Sequence, residues 1–173
     1  MKIIKLAYSG KCVPLHSLCI SITDCHHSSP TYISSGKMVV RTFNVQDGIM
    51  SLDKVFFTDE ETFNQRVSRA RPEAGDLIIT REAPMGEVCV IPKGVDCCLG
   101  QRLVLVKPDL EKVDIQFLLY SLLSEFSQTQ IGKNKNTGSI VSNLRIPLLK
   151  DLLIPDIEID AQRAIGNVLS VID

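Results

Sequence analysis

The sequence predicts an α+β fold: a mixed β-sheet domain followed by a C-terminal helix. Three observations carry it. Short apolar, β-branched runs punctuated by Gly and Pro occupy residues 38–108, apolar residues at helical spacing occupy 114–131 and 161–172, and no repeat or low-complexity tract interrupts them. The 173 residues are enough for one domain burying roughly two-thirds of the surface its unfolded chain exposes. Hydrophobic residues make up 45% and charged residues 23%, which places the chain among globular proteins and not disordered ones.

The elements follow in order. MVVRTFNV (38–45) reads as one strand, with Asp47–Gly48 as the turn after it. DEETFNQRV (59–67) reads as a short helix, with acids in its first turn, an arginine late and Pro72 to end it. Asp76–Thr80 and Glu87–Ile91 are strands around a Pro84–Gly86 turn, and Arg102–Val106 is a further strand closed by Pro108. Asp114 opens a long helix through FLLYSLLSEFSQTQI, stopped at Gly132. GKNKNTGSIVSNL is a polar loop, Pro147 starts a short helix that Pro155 ends, and Asp160 is the expected N-cap of the last helix. On that helix Ala161, Ile165, Val168 and Ile172 recur at spacings of four, three and four, a seam that suits a partner helix or the helix's own domain. The organisation expected is a domain over 1–158 and a helix over 159–173.

No apolar run reaches the ~18 residues of a membrane span, and the lysine-bearing N-terminus lacks the core of a signal peptide, so a cytoplasmic protein is expected. Of the six cysteines, none forms a CxxC pair, and reduced thiols are expected. Cys12–His27 holds three of them with His16, His26 and His27, but the spacing Cys-x6-Cys-x5-Cys-His-His matches no standard finger. It reads as a loop rich in these residues, and no metal is expected.

Net charge is −1, from 19 basic and 20 acidic residues, which by itself argues against nucleic acid. The distribution argues the other way. Residues 1–23, 25–46, 62–71 and 126–150 carry Lys2, Lys5, Lys11, Lys37, Arg41, Arg66, Arg69, Arg71, Lys133, Lys135, Arg145 and Lys150 and no acid. If these runs meet on one face, that face is cationic; if not, they are separate solvated surfaces.

Catalytic signatures are absent. There is no P-loop, GxGxxG, HExxH or GxSxG, no Asp/Glu-x-Lys triplet of a metal-dependent nuclease, and no Asn-Pro-Pro-aromatic loop of a base-modifying methyltransferase. Glu82, Glu87 and the His26–His27 pair lack partners at a useful spacing.

The ordered set MVVRTFNVQDG, RARPEAGDLIITREAPMGEVCVIPKG, CLGQRLVLVKPD, FLLYSLLSEFSQTQI and TGSIVSNLRIPLLKDLLIPDIEIDAQRAIGNVLSVID resembles the DNA-specificity subunit of type I restriction–modification systems, in particular one target recognition domain. The resemblance implies sequence-specific reading of one half of a bipartite site in duplex DNA, with no catalysis and no cofactor on this chain. S-adenosylmethionine and adenine methylation would belong to a modification subunit, and cleavage to a restriction subunit. The chain departs from the pattern in holding one recognition domain and only the start of the conserved helix, which suggests a half-subunit pairing through that helix, or a truncated form. On this reading the DNA contacts are expected from Arg41 and Asn44 at a strand exit, from Arg66, Arg69 and Arg71 on phosphates, from Arg81 at the hairpin rim beside Glu82, and from Lys133, Asn134, Lys135, Asn136 and Ser139 in the polar loop. A specificity module of a related phage-defence methylation system, a stand-alone nuclease, or a protein-interaction module built on the helix seam are the alternatives.

Overall fold

The computed structural model describes residues 8–133 and 143–172. In chain order the elements are β1 (Cys12–Pro14), a 3-10 turn (Leu15–Leu18), β2 (Cys19–Asp24), β3 (Lys37–Val40), a second 3-10 turn (Thr42–Asn44), β4 (Val45–Gln46), β5 (Ile49–Met50), β6 (Phe56–Thr58), α1 (Glu60–Val67), β7 (Leu77–Thr80) and β8 (Val88–Val90). After these come β9 (Cys97–Leu99), β10 (Leu103–Pro108), α2 (Ile115–Leu123), α3 (Glu125–Lys133), α4 (Ile146–Lys150), β11 (Leu153–Pro155) and α5 (Ile159–Ile172). This is the expected α+β class with a C-terminal helix.

An antiparallel sheet in the order β2-β10-β7-β8 is the central layer. Its side chains alternate between two cores, as the two-residue period of a strand requires. Leu77, Ile79, Val88, Val104 and Val106 face α2, where Phe117, Leu118 and Leu122 meet them. Ile78, Cys89, Leu103 and Leu105 face the other way, against Val40, Cys97 and Leu99. Those last residues belong to a mixed sheet, β6-β3-β9, in which β3 runs antiparallel to β6 and parallel to β9. Burial on both faces is why LIIT of β7 is an unbroken apolar run closed by a threonine, and each such side chain contributes about 1.5–3 kcal/mol.

Several local readings change. The single strand expected over 38–45 is broken after Val40, because Asn44 Oδ1 accepts the Arg41 N–H (2.9 Å) and folds the chain into a 3-10 turn. The long helix from Asp114 is two helices. Ser124 ends α2 in an extended conformation and caps α3: its Oγ donates to Ser121 O (2.6 Å) and accepts from Ser127 N (3.3 Å). Asp114 caps α2 as expected, accepting from Phe117 N, and Asp59 caps α1, accepting from Thr62 N. Helix α3 continues through Gly132 to Lys133, and α1 stops at Val67, ahead of Pro72. The expected loop over Cys12–His27 contains β1 and β2, and the segment after α4 adds β11, which pairs with β1.

Helix α5 starts at Ile159, so Asp160 lies in its first turn instead of capping it, and pairs with Arg163 at 3.0 Å. It packs across the start of α2. Buried Gln162 accepts from Asp114 N (2.9 Å) and donates to Lys112 O (3.2 Å) and Ile157 O (2.7 Å), while Ile165 and Leu169 join the α2 core. A Cβ at Gly166 would come within 2.7 Å of Asp114 Oδ1, so the close approach needs glycine. Of the expected seam, Ile165 thus faces the domain, Ala161 and Val168 stay exposed, and the Ile172 side chain lies outside the described residues.

Candidate nucleic-acid interface

Two of the acid-free runs, 25–46 and 62–71, meet at the loop that follows β2. Arg66, on the last turn of α1, is buried. It donates from Nε to Leu99 O (2.8 Å) and from Nη2 to His26 O (3.3 Å) and Ser28 O (3.0 Å). Gln101 donates to His27 O. Between them these side chains hold residues 26–28 against the chain joining β9 to β10. Arg69, one turn beyond Arg66, is exposed, and its charge acts on His26. Burial first, then Arg69 and Arg66, hold the His26 imidazole below its ordinary value.

Arg41 stands on the same side. Its guanidinium carbon lies 5.5 Å from the Tyr32 ring centre, 5.2 Å from Phe43 and 4.8 Å from Phe56. Lys54 lies over Phe56 as well, at 5.6 Å. The rings orient the Arg41 cation without neutralising it, and it has no carboxylate partner among the described residues. A polar pocket of about 110 Å³ opens beside it, lined by Ser29, Tyr32, Arg41, Thr42, Gln101 and Arg102.

The hairpin between β7 and β8 explains its two rim charges. Arg81 binds Asp24 through both carboxylate oxygens (2.9 and 2.8 Å), Leu144 O (3.0 Å) and Asn143 Oδ1 (3.0 Å). Asn143 Nδ2 in turn donates to Glu82 Oε1 (2.6 Å), and Glu82 also meets Arg102 Nε at 3.2 Å. The Arg81–Glu82 pair therefore ties the chain at 143–144 to the hairpin and to β2. Arg81 is 11% exposed and its donors are filled from within, so it serves the fold where a DNA contact was expected. Glu87, just before β8, is buried and accepts from Asp47 N.

The other expected contacts divide. Asn44 is interior: besides Arg41 N it binds Ser51 O and Lys54 O, both at 2.9 Å, and has no donor left for DNA. Arg66 is spent on carbonyls in the same way. Arg71 pairs with Asp96 at 2.7 Å, and Lys37 reaches the same carboxylate at 3.1 Å, which together hold Asp96 below the usual carboxylate range. Lys11 pairs with Asp156 beside β1 and β11, and His16 meets Lys150 O at 3.0 Å, so these basic residues lie away from the 26–29 loop. Arg41, Arg69 and Lys133 remain open to a partner, Lys133 at the exposed end of α3. Asn134, Lys135, Asn136 and Ser139 lie outside the described residues. Gln101 and Arg102 escaped the sequence reading; the polar Gln-Arg step between the apolar runs CCL and LVLV was the available signal.

Among the described residues no group of three His, Cys, Asp or Glu side chains is placed to hold a metal ion. Burial pushes the thiols of Cys19, Cys89 and Cys97 up to about 12 and that of Cys98 up to about 11, so none is a ready nucleophile. No described helix is long and apolar enough to cross a membrane.

This architecture, an α+β domain whose sheet is backed by helices and whose last helix lies across them, is similar to that of solved type I specificity subunits. The chain covers 94% of its length on the HsdS subunit from Thermoanaerobacter tengcongensis, with a TM-score of 0.61, 19% identity and 36% of that chain matched. On the type I restriction-modification S subunit from M. genitalium the TM-score is 0.61, with 21% identity, 98% of this chain and 41% of that one. By sequence the chain is similar to the type I restriction enzyme MjaVIII specificity subunit of Methanocaldococcus jannaschii, 27% identical over 147 residues, which is 82% of this chain and 34% of that protein. The resemblance first drawn from the ordered motifs is thus present in both sequence and fold. The chain spans about a third of the length of this curated relative. No family model matches it.

Proposed function

We propose that this chain reads duplex DNA, as one recognition domain of a type I specificity component, and supplies no chemistry of its own. The observation that carries the reading is the meeting of two acid-free runs, 25–46 and 62–71, around residues 26–29: Arg41 and Arg69, with Gln101–Arg102 from the chain joining β9 to β10, surround a loop that Arg66 fixes from inside. Open cations on a rigid frame are what a phosphate backbone requires. Likeness to specificity subunits over most of the chain supplies the second support. On this reading adenine methylation belongs to a modification subunit that carries S-adenosylmethionine, and cleavage to a restriction subunit. The exposed stripe Ala161, Ala164, Val168 and Val171 of α5, spaced three, four and three, would meet a second half-subunit.

The test is selection from a pool of random duplexes by the full chain at low salt, followed by sequencing. One short motif should be enriched, and its affinity should fall steeply as salt rises. Binding to no duplex, or binding without any enriched motif, would sink the proposal.

A further inference from the structure

We propose that the pocket between Arg41 and Arg102 is a seat for a phosphate oxyanion; resting on the DNA reading above, its natural occupant is one phosphodiester of the duplex backbone. Neither Gln101 nor Arg102 was among the contacts expected from the sequence.

The lining decides the ligand class. Two guanidinium groups, one amide and the hydroxyls of Ser29, Tyr32 and Thr42 surround about 110 Å³, room for several waters or one small oxyanion. Two cations disfavour a cationic ligand, and a neutral one would leave Arg41 without an anionic partner. Glu82 meets Arg102 at Nε and also receives Asn143, so the terminal nitrogens of Arg102 keep their donor capacity. Arg41 is set for the same task, because its backbone N–H is capped by Asn44 while its guanidinium is steered by Tyr32, Phe43 and Phe56.

A stacked base is the competing occupant, and the rings argue against it. Arg41 covers a face of each of Tyr32, Phe43 and Phe56, and the pocket lining is mainly polar. The frame is stiff. Gly100 N donates to Val40 O (2.7 Å), and a Cβ at Gly100 would come within 2.8 Å of that carbonyl, so the two chain segments bearing Arg41 and Arg102 are held in contact. A phosphodiester here would fix the register of the domain on the duplex without reading sequence.

The experiment has two arms, both on the full chain. In the first, duplex affinity is measured against salt for wild type, Arg41→Gln, Arg41→Lys, Arg102→Gln and Lys11→Gln. Each glutamine variant at the pocket should lower the log–log salt slope by about one and weaken preferred and random duplexes by the same factor. Arg41→Lys should keep the slope, and Lys11→Gln, beside Asp156, should match wild type. In the second arm, inorganic phosphate is titrated while the Nε–Hε resonances of Arg41 and Arg102 are followed by NMR. Phosphate should move both in wild type, and Arg102 less in Arg41→Gln. Unchanged slopes in a chain that binds DNA would overturn the phosphodiester seat and leave the DNA reading standing. Shifts with phosphate in a chain that binds no duplex would keep the oxyanion chemistry, assign it to free phosphate and overturn the DNA reading. Unmoved resonances together with unchanged slopes would refute the seat altogether. Arg102 is exposed, so Arg102→Gln remains informative if Arg41→Gln folds poorly.

Discussion

Arg81, just past β7, and Arg41, just past β3, keep different company. Arg81 is enclosed, and its guanidinium is filled by a bidentate carboxylate, a carbonyl and an amide oxygen. Arg41 is half-buried among rings that attract its charge but accept no conventional hydrogen bond from it. The first arginine is a joint of the fold, and the second is a cation held out to solvent. What separates them is whether the fold has already occupied the donors, because an arginine whose N–H groups are matched by carboxylate and carbonyl oxygens has little left to offer a phosphate.

Removing each one tests that difference. Arg81→Ala should leave the partly buried Asp24 with only His27 Nε2 (3.2 Å) among the described residues, and two further acceptors without their donor, at a cost of about 2–4 kcal/mol in denaturant unfolding. Arg41→Gln should cost no more than about 1 kcal/mol while changing the DNA salt slope. Equal stability losses at the two positions would erase the distinction. Arg66→Ala comes next in size. It leaves the carbonyls of Leu99, His26 and Ser28 without their donor, at about 1–3 kcal/mol, and amide exchange at residues 26–29 should accelerate. Should exchange there stay slow, Arg66 does not hold the loop on which the Arg41 pocket depends.

How much of this was legible before folding follows from the same physics. Strands β7 and β8 were legible within about one residue and β10 within two, because they are buried on both faces and bounded by Gly, Pro or charge, and α1 because Asp59 caps it. Strand β2 was not: CISITD sits on a sheet edge and keeps serine and threonine among its apolar residues, so it reads as loop. Strand β11 finds its partner β1 at the other end of the chain, and no local pattern announces that pairing. The break at Ser124 hides inside an apolar spacing that continues through it. At the site, the Arg81–Glu82 pair stood out from its neighbours, but Asp24 and Asn143 lie 57 and 62 residues away from Arg81. A sequence shows which side chains are charged and leaves their partners to the topology.

The smallest effect is also the finest probe of the cationic face. His26 lies beside Arg69 and Arg66, and burial and both cations favour its neutral form, holding its folded value below the ordinary 6.5. The unfolded chain therefore takes up a proton near pH 6.5 that the folded chain refuses until lower pH. This contribution to stability is complete above 6.5 and is lost as pH falls from there through the folded value. Unfolding measured between pH 7.5 and 5.5 should show a modest decline that His26→Gln flattens. The two arginines can then be told apart by salt. Arg69 is exposed and its influence is screened, whereas Arg66 acts through the interior. An NMR titration of the His26 ring should move upward with added salt and with Arg69→Gln, and adding salt to Arg69→Gln should move it little further. If His26 titrates at or above 6.5 at low salt, the positive charge around residues 26–29 is weaker than the packing implies, and the case for a phosphate-facing surface weakens with it.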